Sequence, residues 1–540
     1  MEEKKIQLVR ALGLKESISM TIGTVVGVGL FTCGSAQIGK VGSWIIGFTF
    51  IALLISIWPS LIYGEMSAAL PCAGGTYNYA KRGLNRIWAN IAGWHYIVSV
   101  VAIGAGETLA FSNYFKILLE QFNINIEWLD SRIIAIVLII LFLILNFRGI
   151  EQSGKAQTGF MFFFWGCAIC WFLYMIPKIH IEYFGGITMN ELPPFNELMY
   201  IFGLVWWCYT GFETCVSMGA ETKYPQYTLP RALKISVFLV FALNALFQWF
   251  LVGLVPKELY GILAVADAPY AEGLKAVGLI GFPIILLCIG IAFGGDLSTI
   301  NPGIAAPARY IYTMAEDGAL PSYLCKVHSK YKTPYIAIIL VGIINFILIA
   351  TGSINYIASV SLISLAICYM IGCLSYLGLC KKYPDMNRPY KAPLGEIGCI
   401  FTIFIYCFML FFADKVALLT AGIITVVCII FYYSGIFHDI MEKCHRTAYL
   451  LIHLFCQMNR MKDIRHTTSV HLAFVCFVSK LHCFDCHTCI NHRFPPIYLS
   501  PVNQYIIVCG KPSHRIKFLI ICTRHLVESF GLIDIIHRWL

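Results

Sequence analysis

The sequence predicts an all-α integral membrane protein, because long apolar stretches recur along it and charged residues are scarce. Of the 540 residues, 59% are hydrophobic and 13% are charged, whereas soluble domains average roughly 45–50% apolar and 25% charged residues. A soluble protein of this composition would expose large apolar patches. A membrane-spanning helix needs roughly 20 mostly apolar residues, since each residue rises about 1.5 Å through a hydrocarbon core of about 30 Å.

Twelve apolar stretches are counted as transmembrane helices, and the segments between them differ in charge. Successive segments lie on alternate sides of the membrane. The segments on one side hold 20 Lys and Arg residues together, and those on the other side hold 7. Cytoplasmic loops carry the excess of Lys and Arg, so the N-terminus is predicted to be cytoplasmic. The net charge of +10 is then a topology signal, and no nucleic-acid binding is expected. The stretches lie at about 15–39, 43–70, 87–118, 131–147, 156–177, 197–220, 232–255, 279–314, 333–352, 354–379, 396–413 and 415–437.

Several other classes of protein lack support in the sequence. The N-terminus shows no apolar segment followed by a small-residue cleavage site, so no cleaved signal peptide is expected. A Gly-x4-Gly-Lys-Ser/Thr phosphate-binding loop is missing, which argues against an ATP-driven pump. The apolar stretches show no paired metal-ligand spacing, so we expect neither an enzyme nor a cofactor. Cysteines up to Cys428 stand singly in these stretches and are expected to be free.

Glycines interrupt the first apolar stretch, which reads Thr21-Ile-Gly-Thr-Val-Val-Gly-Val-Gly-Leu-Phe31. Gly23, Gly27 and Gly29 lie near its middle, and each glycine inside a helix costs about 1 kcal/mol relative to alanine. Either a neighbouring helix packs closely there, or the helix is broken and its free N–H groups bind an anionic ligand. The glycines alone leave both interpretations open.

The sixth stretch carries a matching interruption in Phe202-Gly-Leu-Val-Trp-Trp-Cys-Tyr-Thr-Gly-Phe-Glu213. It places Gly211 beside Glu213, an acid at membrane depth, where a charge is costly and usually faces a cavity or a partner. Stretches one and six begin two five-helix halves of opposite orientation. Interruptions at matching positions of inverted halves indicate a binding site at the membrane midplane. A substrate site is therefore the preferred interpretation.

Four motifs stand in order along the chain. They are Gly27-Val-Gly-Leu-Phe31; Tyr63-Gly-Glu65 through Pro71-Cys-Ala-Gly-Gly-Thr-Tyr-Asn-Tyr79; Tyr209-Thr-Gly-Phe-Glu213 with Glu221 and Pro225; and Arg309 through Glu316-Asp-Gly-Ala-Leu-Pro321. Together with Arg388-Pro-Tyr-Lys-Ala-Pro393, they resemble the amino acid–polyamine–organocation transporters over about residues 7–437. The resemblance implies a leucine-transporter-like fold of two inverted five-helix repeats plus two helices, and transport by alternating access.

The resemblance also implies where a substrate binds. Backbone amides of Gly27, Val28 and Gly29, in an unwound part of helix one, would hold a substrate carboxylate. Carbonyl groups of helix six would accept from the substrate ammonium, and Trp207 would be an aromatic gate, although the adjacent Trp206 competes for that role. Broken helices offer donors and acceptors without burying a side-chain charge. The helix-six segment comprises Trp207, Cys208, Tyr209, Thr210 and Gly211.

Two intramembrane acids have alternative interpretations. Glu213 matches a family acid and is either a proton carrier or a structural acid bonded to nearby groups. Glu107 shares a helical face with Gly104, and in the family this face lines the substrate side-chain pocket. A carboxylate there would favour a cationic side chain such as that of lysine or ornithine, or a polyamine; alternatively, Glu107 is solvated near the outer mouth.

Three further acids are less informative. Asp296 in the eighth stretch is as ambiguous as Glu107. Glu65 and Glu221 lie near the cytoplasmic ends of their helices, so they are expected to be solvated or to pair with loops.

Two positions differ from the family pattern, Glu107 in the third stretch and Phe164 in the fifth, and the second bears on ion coupling. Many relatives carry a lysine about two turns into helix five in place of a sodium ion, but here that position is Phe164. The nearest lysine, Lys155, lies at the start of the helix and is interpreted as one of the cytoplasmic positive charges that orient the protein in the membrane. Ser298 and Thr299 could offer hydroxyl groups to sodium, although such residues also occur in sodium-independent relatives.

The sequence divides into a transporter domain, residues 1–440, and a Cys/His-rich extension, residues 441–540. The extension holds ten of the 14 histidines and eight of the 22 cysteines. Its apolar runs are too short to span a bilayer, and it is expected to be disordered or an aberrant addition. Cys483, Cys486, Cys489 and His492 have zinc-ligand chemistry, but their uniform spacing makes them weak metal candidates.

These observations predict a secondary active transporter of amino acids or related amines. The alternative is a transporter-like sensor or scaffold that binds such a ligand without moving it. The expected surroundings are the lipid bilayer of the plasma membrane, with the chain crossing it many times. The expected partner is the small-molecule substrate, and no obligate partner subunit is expected, since the short outer loops show no counterpart of a known attachment cysteine.

Overall fold

A computed structural model describes residues 8–126, 128–430 and 432–433, and within these ranges all regular elements are helices. Two isolated bridges, Leu12 with Thr222 and Ala73 with Met218, add β-type pairing without forming a strand. Seven of the described helices are long and apolar enough to cross a membrane. The all-α membrane fold is therefore confirmed, and the count of twelve spans stays a prediction.

The apolar helices are numbered here in the order of the predicted spans. The seven long ones are α1 (Leu14–Gly34), α2 (Trp44–Ala69), α3 (Arg86–Glu120), α5 (Ile150–Lys178), α7 (Pro225–Leu254), α8 (Phe282–Glu316) and α10 (Ile354–Lys382). The shorter ones are α4 (Ser131–Phe147), α6a (Phe195–Trp207) with α6b (Thr214–Ser217), α9 (Tyr335–Thr351), α11 (Gly395–Phe411) and α12 (Lys415–Ile430). Shorter helices between them are Ile38–Val41, Gly75–Gly83, Tyr260–Val265 and Pro269–Ala276.

Two predicted helix starts are too late, for a common reason. Helix α5 begins at Ile150 and α7 at Pro225, six and seven residues before the predicted starts at 156 and 232. The first two turns of both helices carry polar and charged residues, so an apolar window misses them. Proline at the first helical position of α7 is compatible with its missing N–H. The predicted stretch 197–220 is interrupted after Trp207, within the segment where an interruption is expected.

Burial separates inner helices from outer ones. Each long helix contains an apolar stretch of 18 residues, and the buried share of that stretch differs between helices. It is 89% in α1, 83% in α10, 78% in α3 and 72% in α8, but only 28% in α5. Apolar side chains of outer helices, such as Phe162, Ile347 and Phe404, are exposed, as expected of a surface that faces lipid. The four buried helices therefore form the centre of the molecule.

The segment between α5 and α6a is bonded to the ends of α2 and α7. The His180 N–H donates to the Gly253 carbonyl at 2.8 Å, and the Ser43 hydroxyl donates to the Phe184 carbonyl at 2.5 Å. Glu191 pairs with Lys257 at 2.5 Å. The bond from Lys257, helped by the backbone and hydroxyl of Thr188, lowers the pKa of Glu191 to about 2. This loop is thus held in place by both backbone and charge.

A buried ion pair closes the end of the molecule near the start of α1. Arg309 donates to Glu221 through Nε at 2.8 Å and Nη2 at 2.9 Å, and both side chains are fully buried. The Glu221 carbonyl accepts from the N–H groups of Ala11 and Leu12, and the Lys223 N–H donates to the Leu12 carbonyl. Glu221 is therefore paired within the interior rather than solvated.

Glu65 is likewise buried and paired. Its carboxylate accepts from the Tyr376 hydroxyl at 3.0 Å, from Arg388 at 3.2 Å and from the Ala392 N–H at 2.7 Å. Arg388 and Ala392 belong to the loop before α11, so the pairing of Glu65 with a loop is seen and its solvation is not.

We predict that Glu221→Gln destabilises the protein strongly. The change leaves Arg309 buried without a counter-charge, and breaking a buried pair in this way costs about 3–5 kcal/mol. Thermal unfolding of the purified protein should show a clearly lower midpoint. The matched control is Glu151→Gln, whose pair with Lys155 is exposed, and it should leave the midpoint unchanged. Equal midpoints for both variants would contradict this role of Glu221.

Candidate functional site

The first helix is broken at its middle, between Val25 and Gly29. Its regular part ends at Val25, and Val26 leaves the helical conformation with φ −90° and ψ 89°. The chain resumes from Gly29 to Gly34 as a wider π-helix, a form that is common at functional sites. The break falls at the predicted position, and it releases backbone groups in the most buried part of the molecule.

Glu107 of α3 occupies this break. Its carboxylate accepts a hydrogen bond from the Val28 N–H at 2.7 Å, and only 1% of its surface is exposed. A Cβ atom on Gly27 would lie 2.2 Å from the Glu107 carboxyl group, so any larger residue there requires the Glu107 side chain to move. The protein therefore supplies its own carboxyl group to an amide that was predicted to hold the substrate carboxylate.

The two expectations for Glu107 are both revised by this contact. The side chain is buried, so the solvated alternative is wrong. It also lies against the backbone of α1 instead of forming only the wall of a side-chain pocket. Sequence spacing placed Glu107 on the correct face of α3, but the reach of its side chain to Val28 depends on how closely α3 and α1 pack.

The break in α6 is held by a tyrosine that sequence reasoning did not identify. Gly211 has φ +100°, a conformation that favours glycine, and its N–H donates to the Tyr369 hydroxyl oxygen at 3.1 Å. The Tyr369 hydroxyl in turn donates to the carboxylate of Glu213. Tyr369 lies in α10, and no motif in its surroundings marks it. The acid and the glycine are thus joined through a third helix.

Trp207 lies where the two breaks meet. Its indole N–H donates to the Ser361 hydroxyl of α10 at 3.1 Å. A Cβ built on Gly29 would be 3.4 Å from the Cα of Cys208 and 3.7 Å from the Trp207 ring. The neighbouring Trp206 is fully buried and packs against the Tyr406 ring at 4.7 Å. Of the two tryptophans, Trp207 is the one placed beside α1.

Other residues of the predicted helix-six segment are engaged with the protein. The Thr210 hydroxyl donates to the Trp207 carbonyl at 2.7 Å. The Tyr209 hydroxyl donates to the Thr49 carbonyl of α2 at 2.9 Å, so its side chain extends to another helix. The Cys208 thiol donates a hydrogen bond to the Leu204 carbonyl at 3.4 Å. What this segment could offer a ligand is therefore mainly its backbone.

Gly104 lies at a helix crossing. A Cβ on Gly303 of α8 would be 3.2 Å from the Gly104 Cα, so the two glycines allow α3 and α8 to pack closely. One turn further along α3, Glu107 meets α1. The structure therefore brings Glu107 to the break and places Gly104 between helices.

Asp296 adds a second buried carboxyl group. It ends a π-helical segment of α8, Gly290–Asp296, and is fully buried. Its carboxyl group is within hydrogen-bonding reach of that of Glu107, so the two groups can share one proton, and no other group of the described residues donates to Asp296. Two acids from α3 and α8 thus face each other beside the broken part of α1.

Ser298 and Thr299, the sodium candidates, lie on the other side of α1. The Thr299 hydroxyl oxygen is 2.5 Å from the Gly23 carbonyl oxygen and 3.0 Å from that of Val26. The Ser298 hydroxyl donates to the Gly295 carbonyl at 2.6 Å. Both hydroxyl groups are therefore used within the protein.

The position at which relatives carry a lysine is apolar. Phe164 is buried, and its ring packs edge-on against Phe31 of α1 at 5.8 Å. Gln157 of α5 instead makes polar contacts with neighbouring helices, and the motifs did not indicate this residue either. Its amide donates to the carbonyls of Ser19 at 2.9 Å and Ser298 at 2.7 Å. Gln157 thus connects α1, α5 and α8 without a charge.

A cavity of about 810 Å³ opens beyond the two breaks, at the Gly34 end of α1. Its floor includes Thr32 of α1, Leu109 of α3 and Leu204 of α6a. Leu109 is two residues from Glu107, and Leu204 is four residues from Cys208. The opposite end of α1 is covered by the Arg309–Glu221 pair. The candidate site is therefore approached from one side.

Within the described residues, no group of three or more His, Cys, Asp or Glu side chains could hold a metal ion. The weak zinc candidates Cys483, Cys486, Cys489 and His492 lie outside those residues.

Comparisons with known proteins agree with the geometry of a transporter. A family model described as amino acid permease matches residues 12–435. The chain is 25% identical to the cystine/glutamate transporter of Homo sapiens, over 85% of this chain and 93% of that protein. It is also 25% identical to the methylthioribose transporter of Bacillus subtilis, over 82% and 97% respectively. Identity to the branched-chain amino acid permease of Bacillus subtilis is 22%, over 73% and 88%.

We predict that Gly27→Ala destabilises the break. The added Cβ overlaps the Glu107 carboxylate, and forcing extra atoms into a packed interior typically costs about 1–3 kcal/mol. The thermal unfolding midpoint should fall. Gly166→Ala is the matched control, because a Cβ on that α5 glycine meets no atom within 4 Å; its midpoint should stay the same or rise. A Gly27→Ala protein as stable as the control would show that Glu107 is free to leave Val28.

Proposed function

The chain belongs to the amino acid permease family, and on that premise we propose that it is a secondary active transporter. Its substrate would be an amino acid or a related amine, and its mechanism would be alternating access. The observation that carries the proposal is the pair of matched breaks in α1 and α6, which meet at Gly29 and Cys208. They expose main-chain groups at the centre of a multi-pass membrane protein.

The chemistry of the breaks supports binding of a small zwitterion or amine. N–H groups at the start of a helix favour negative charge, and carbonyl groups at the end of a helix favour positive charge. The break in α1 supplies a helix start, although its Val28 N–H is held by Glu107 in this structure, and the break in α6 supplies a helix end. In our proposal the substrate lies between Gly27, Val28 and Gly29 on one side and the backbone of 207–211 on the other. Trp207 would cover it, since a large ring can exclude water in one rotamer and admit the ligand in another.

The uneven access to the site supports alternating access. The cavity lies at the Gly34 end of α1, about one helical turn from the breaks, while the buried Arg309–Glu221 pair covers the other end. We assign the cavity to the extracellular side, because the charge bias of the loops makes the N-terminus cytoplasmic. Transport would then require the Arg309–Glu221 pair to separate when the cavity closes.

The remaining assignments rest on the sequence and the family. We propose two inverted five-helix repeats plus two helices, a location in the plasma membrane, and activity without a partner subunit. Residues 441–540 are proposed to be dispensable, since the family match ends at residue 435. The relatives are named for cystine and glutamate, branched-chain amino acids and methylthioribose, so their names leave the substrate within the family open.

Counterflow would test the transport proposal without knowledge of the driving ion. Proteoliposomes containing the full chain are loaded with an unlabelled amino-acid mixture and then diluted into labelled arginine, leucine or alanine. We expect at least one label to accumulate, because alternating access exchanges internal for external substrate. Liposomes without protein are the control. Ligand binding by folded protein without accumulation of any label would instead favour the sensor.

Glu213 is our candidate for the proton carrier. We predict that Glu213→Gln abolishes uptake driven by a pH gradient and leaves counterflow intact, because counterflow needs no net proton movement. The amide oxygen of glutamine can still accept from Tyr369, so the break in α6 should persist. Glu182→Gln, which changes an exposed loop acid, is the control for both assays. Gradient-driven uptake that survives Glu213→Gln would assign Glu213 a structural role.

A further inference from the structure

The described residues bury more acids than bases. Among them, Arg309 is the only Lys or Arg side chain that is buried, and it already pairs with Glu221. Glu65 is paired with the half-buried Arg388. Three acids are left without a cationic partner. The five buried acids are Glu65, Glu107, Glu213, Glu221 and Asp296.

These three acids differ in how well they are satisfied. Glu213 is hydrogen-bonded to the Tyr369 hydroxyl. Glu107 uses one oxygen for the Val28 N–H, and no group other than the Asp296 carboxyl reaches its second oxygen. Asp296 is fully buried, and neither of its oxygens has a partner other than the Glu107 carboxyl group. One oxygen of Glu213 also lacks a partner, but the Glu107–Asp296 pair brings two acids together with a single donor, the Val28 N–H, from the rest of the described residues.

An arrangement of this kind is costly unless something positive occupies it. A buried carboxylate without a counter-charge loses its hydration, and a second carboxylate nearby adds repulsion. Ionisable groups at membrane depth almost always face a partner or a substrate path. The groups around the pair supply no charge: Cys33 lies near Glu107, and Tyr114 lies near Asp296. The pair is therefore satisfied either by a proton that its two carboxyl groups share or by a positive group from outside the chain that takes the place of this proton.

The pair lies close to the cavity through the break in α1. Thr32, which lines the cavity, follows Val28 by four positions on α1, about one helical turn. Glu107 also touches Val28 at the break in α1, where the proposed substrate binds. A ligand at the break thus lies next to both carboxyl groups.

The geometry points to the Glu107–Asp296 pair as a subsite for a positively charged group of the substrate. The preferred ligand would be an aliphatic chain that ends in a primary ammonium or guanidinium group, beyond any group held by the broken helices. Cationic amino acids and diamines share this chemistry. The inference deepens the proposed function, since it rests on the same site. Because Glu107 already holds the Val28 N–H, a ligand carboxylate must share or replace that contact, which makes a diamine as suitable as an amino acid.

Three ligands of similar chain length isolate the charged group. Lysine carries the terminal ammonium and a carboxylate, cadaverine lacks the carboxylate, and norleucine lacks the terminal ammonium. Binding to the purified full-length protein is measured by the shift of its thermal unfolding midpoint, and transport by competition against counterflow. The variants are Asp296→Asn and Glu107→Gln, which remove charge at nearly constant shape. In Glu107→Gln the amide oxygen can still accept from Val28.

We expect wild type to prefer lysine to norleucine by at least tenfold, and each variant to reduce this ratio by about tenfold. Asp296→Glu should retain the preference. Glu151→Gln removes an exposed acid outside the site and should leave the ratio unchanged. Response to cadaverine as strong as to lysine would identify diamines as the substrates, and a weaker response would identify cationic amino acids.

Two results would overturn the subsite. One is a lysine-to-norleucine ratio that neither Asp296→Asn nor Glu107→Gln changes. The other is a midpoint shift by sodium, relative to potassium, that depends on Asp296 while lysine causes none; the pair would then hold an inorganic ion. Failure of the transport proposal is distinguishable, because lysine binding that requires Asp296 but occurs without counterflow upholds the subsite and argues against transport.

Discussion

A helix that breaks inside a membrane releases backbone hydrogen-bonding groups that lipid cannot satisfy, and this constraint organises the centre of the molecule. Each break is met by a side chain from another helix. Glu107 of α3 accepts from Val28 at the break in α1, and Tyr369 of α10 accepts from Gly211 at the break in α6. These two helices are among the most buried in the protein, so they can supply rigid partners. The same contacts that stabilise the breaks also place an acid beside each of them.

At the end of the site near the start of α1, an ion pair between two side chains closes the interior. The bidentate Arg309–Glu221 pair is fully buried, and a buried pair of this kind is a poor source of net stability, since desolvation offsets much of its attraction. Such a pair can form in one state and separate in another, because water that enters hydrates both charged side chains and compensates for the lost attraction. Main-chain bonds from Ala11 and Leu12 to the Glu221 carbonyl tie the N-terminal segment to the same closure.

The sequence predicted the class of fold and the position of both breaks, because these depend on local features. Apolar length marks the helices, and Gly27 and Gly211 mark where they stop. It could not predict which side chains satisfy the broken backbone, since Glu107 and Tyr369 lie 79 and 158 residues from their amide partners. Gln157 and Tyr369 went unnoticed for the same reason: a lone glutamine or tyrosine in an apolar helix has no local signature. Helix starts with polar and charged residues in their first two turns, as in α5 and α7, were also missed.

The position of Glu107 bears on the substrate in a way that the glycines of α1 alone do not. Unwound amides attract any anion, so the motif by itself favours a ligand with a carboxylate. Here the chain brings its own carboxylate to Val28 and sets a second acid, Asp296, beside it. A negative charge on this pair would repel a ligand carboxylate and attract a ligand ammonium. In our proposal the break therefore favours a positively charged ligand, although its backbone geometry is that of an anion site.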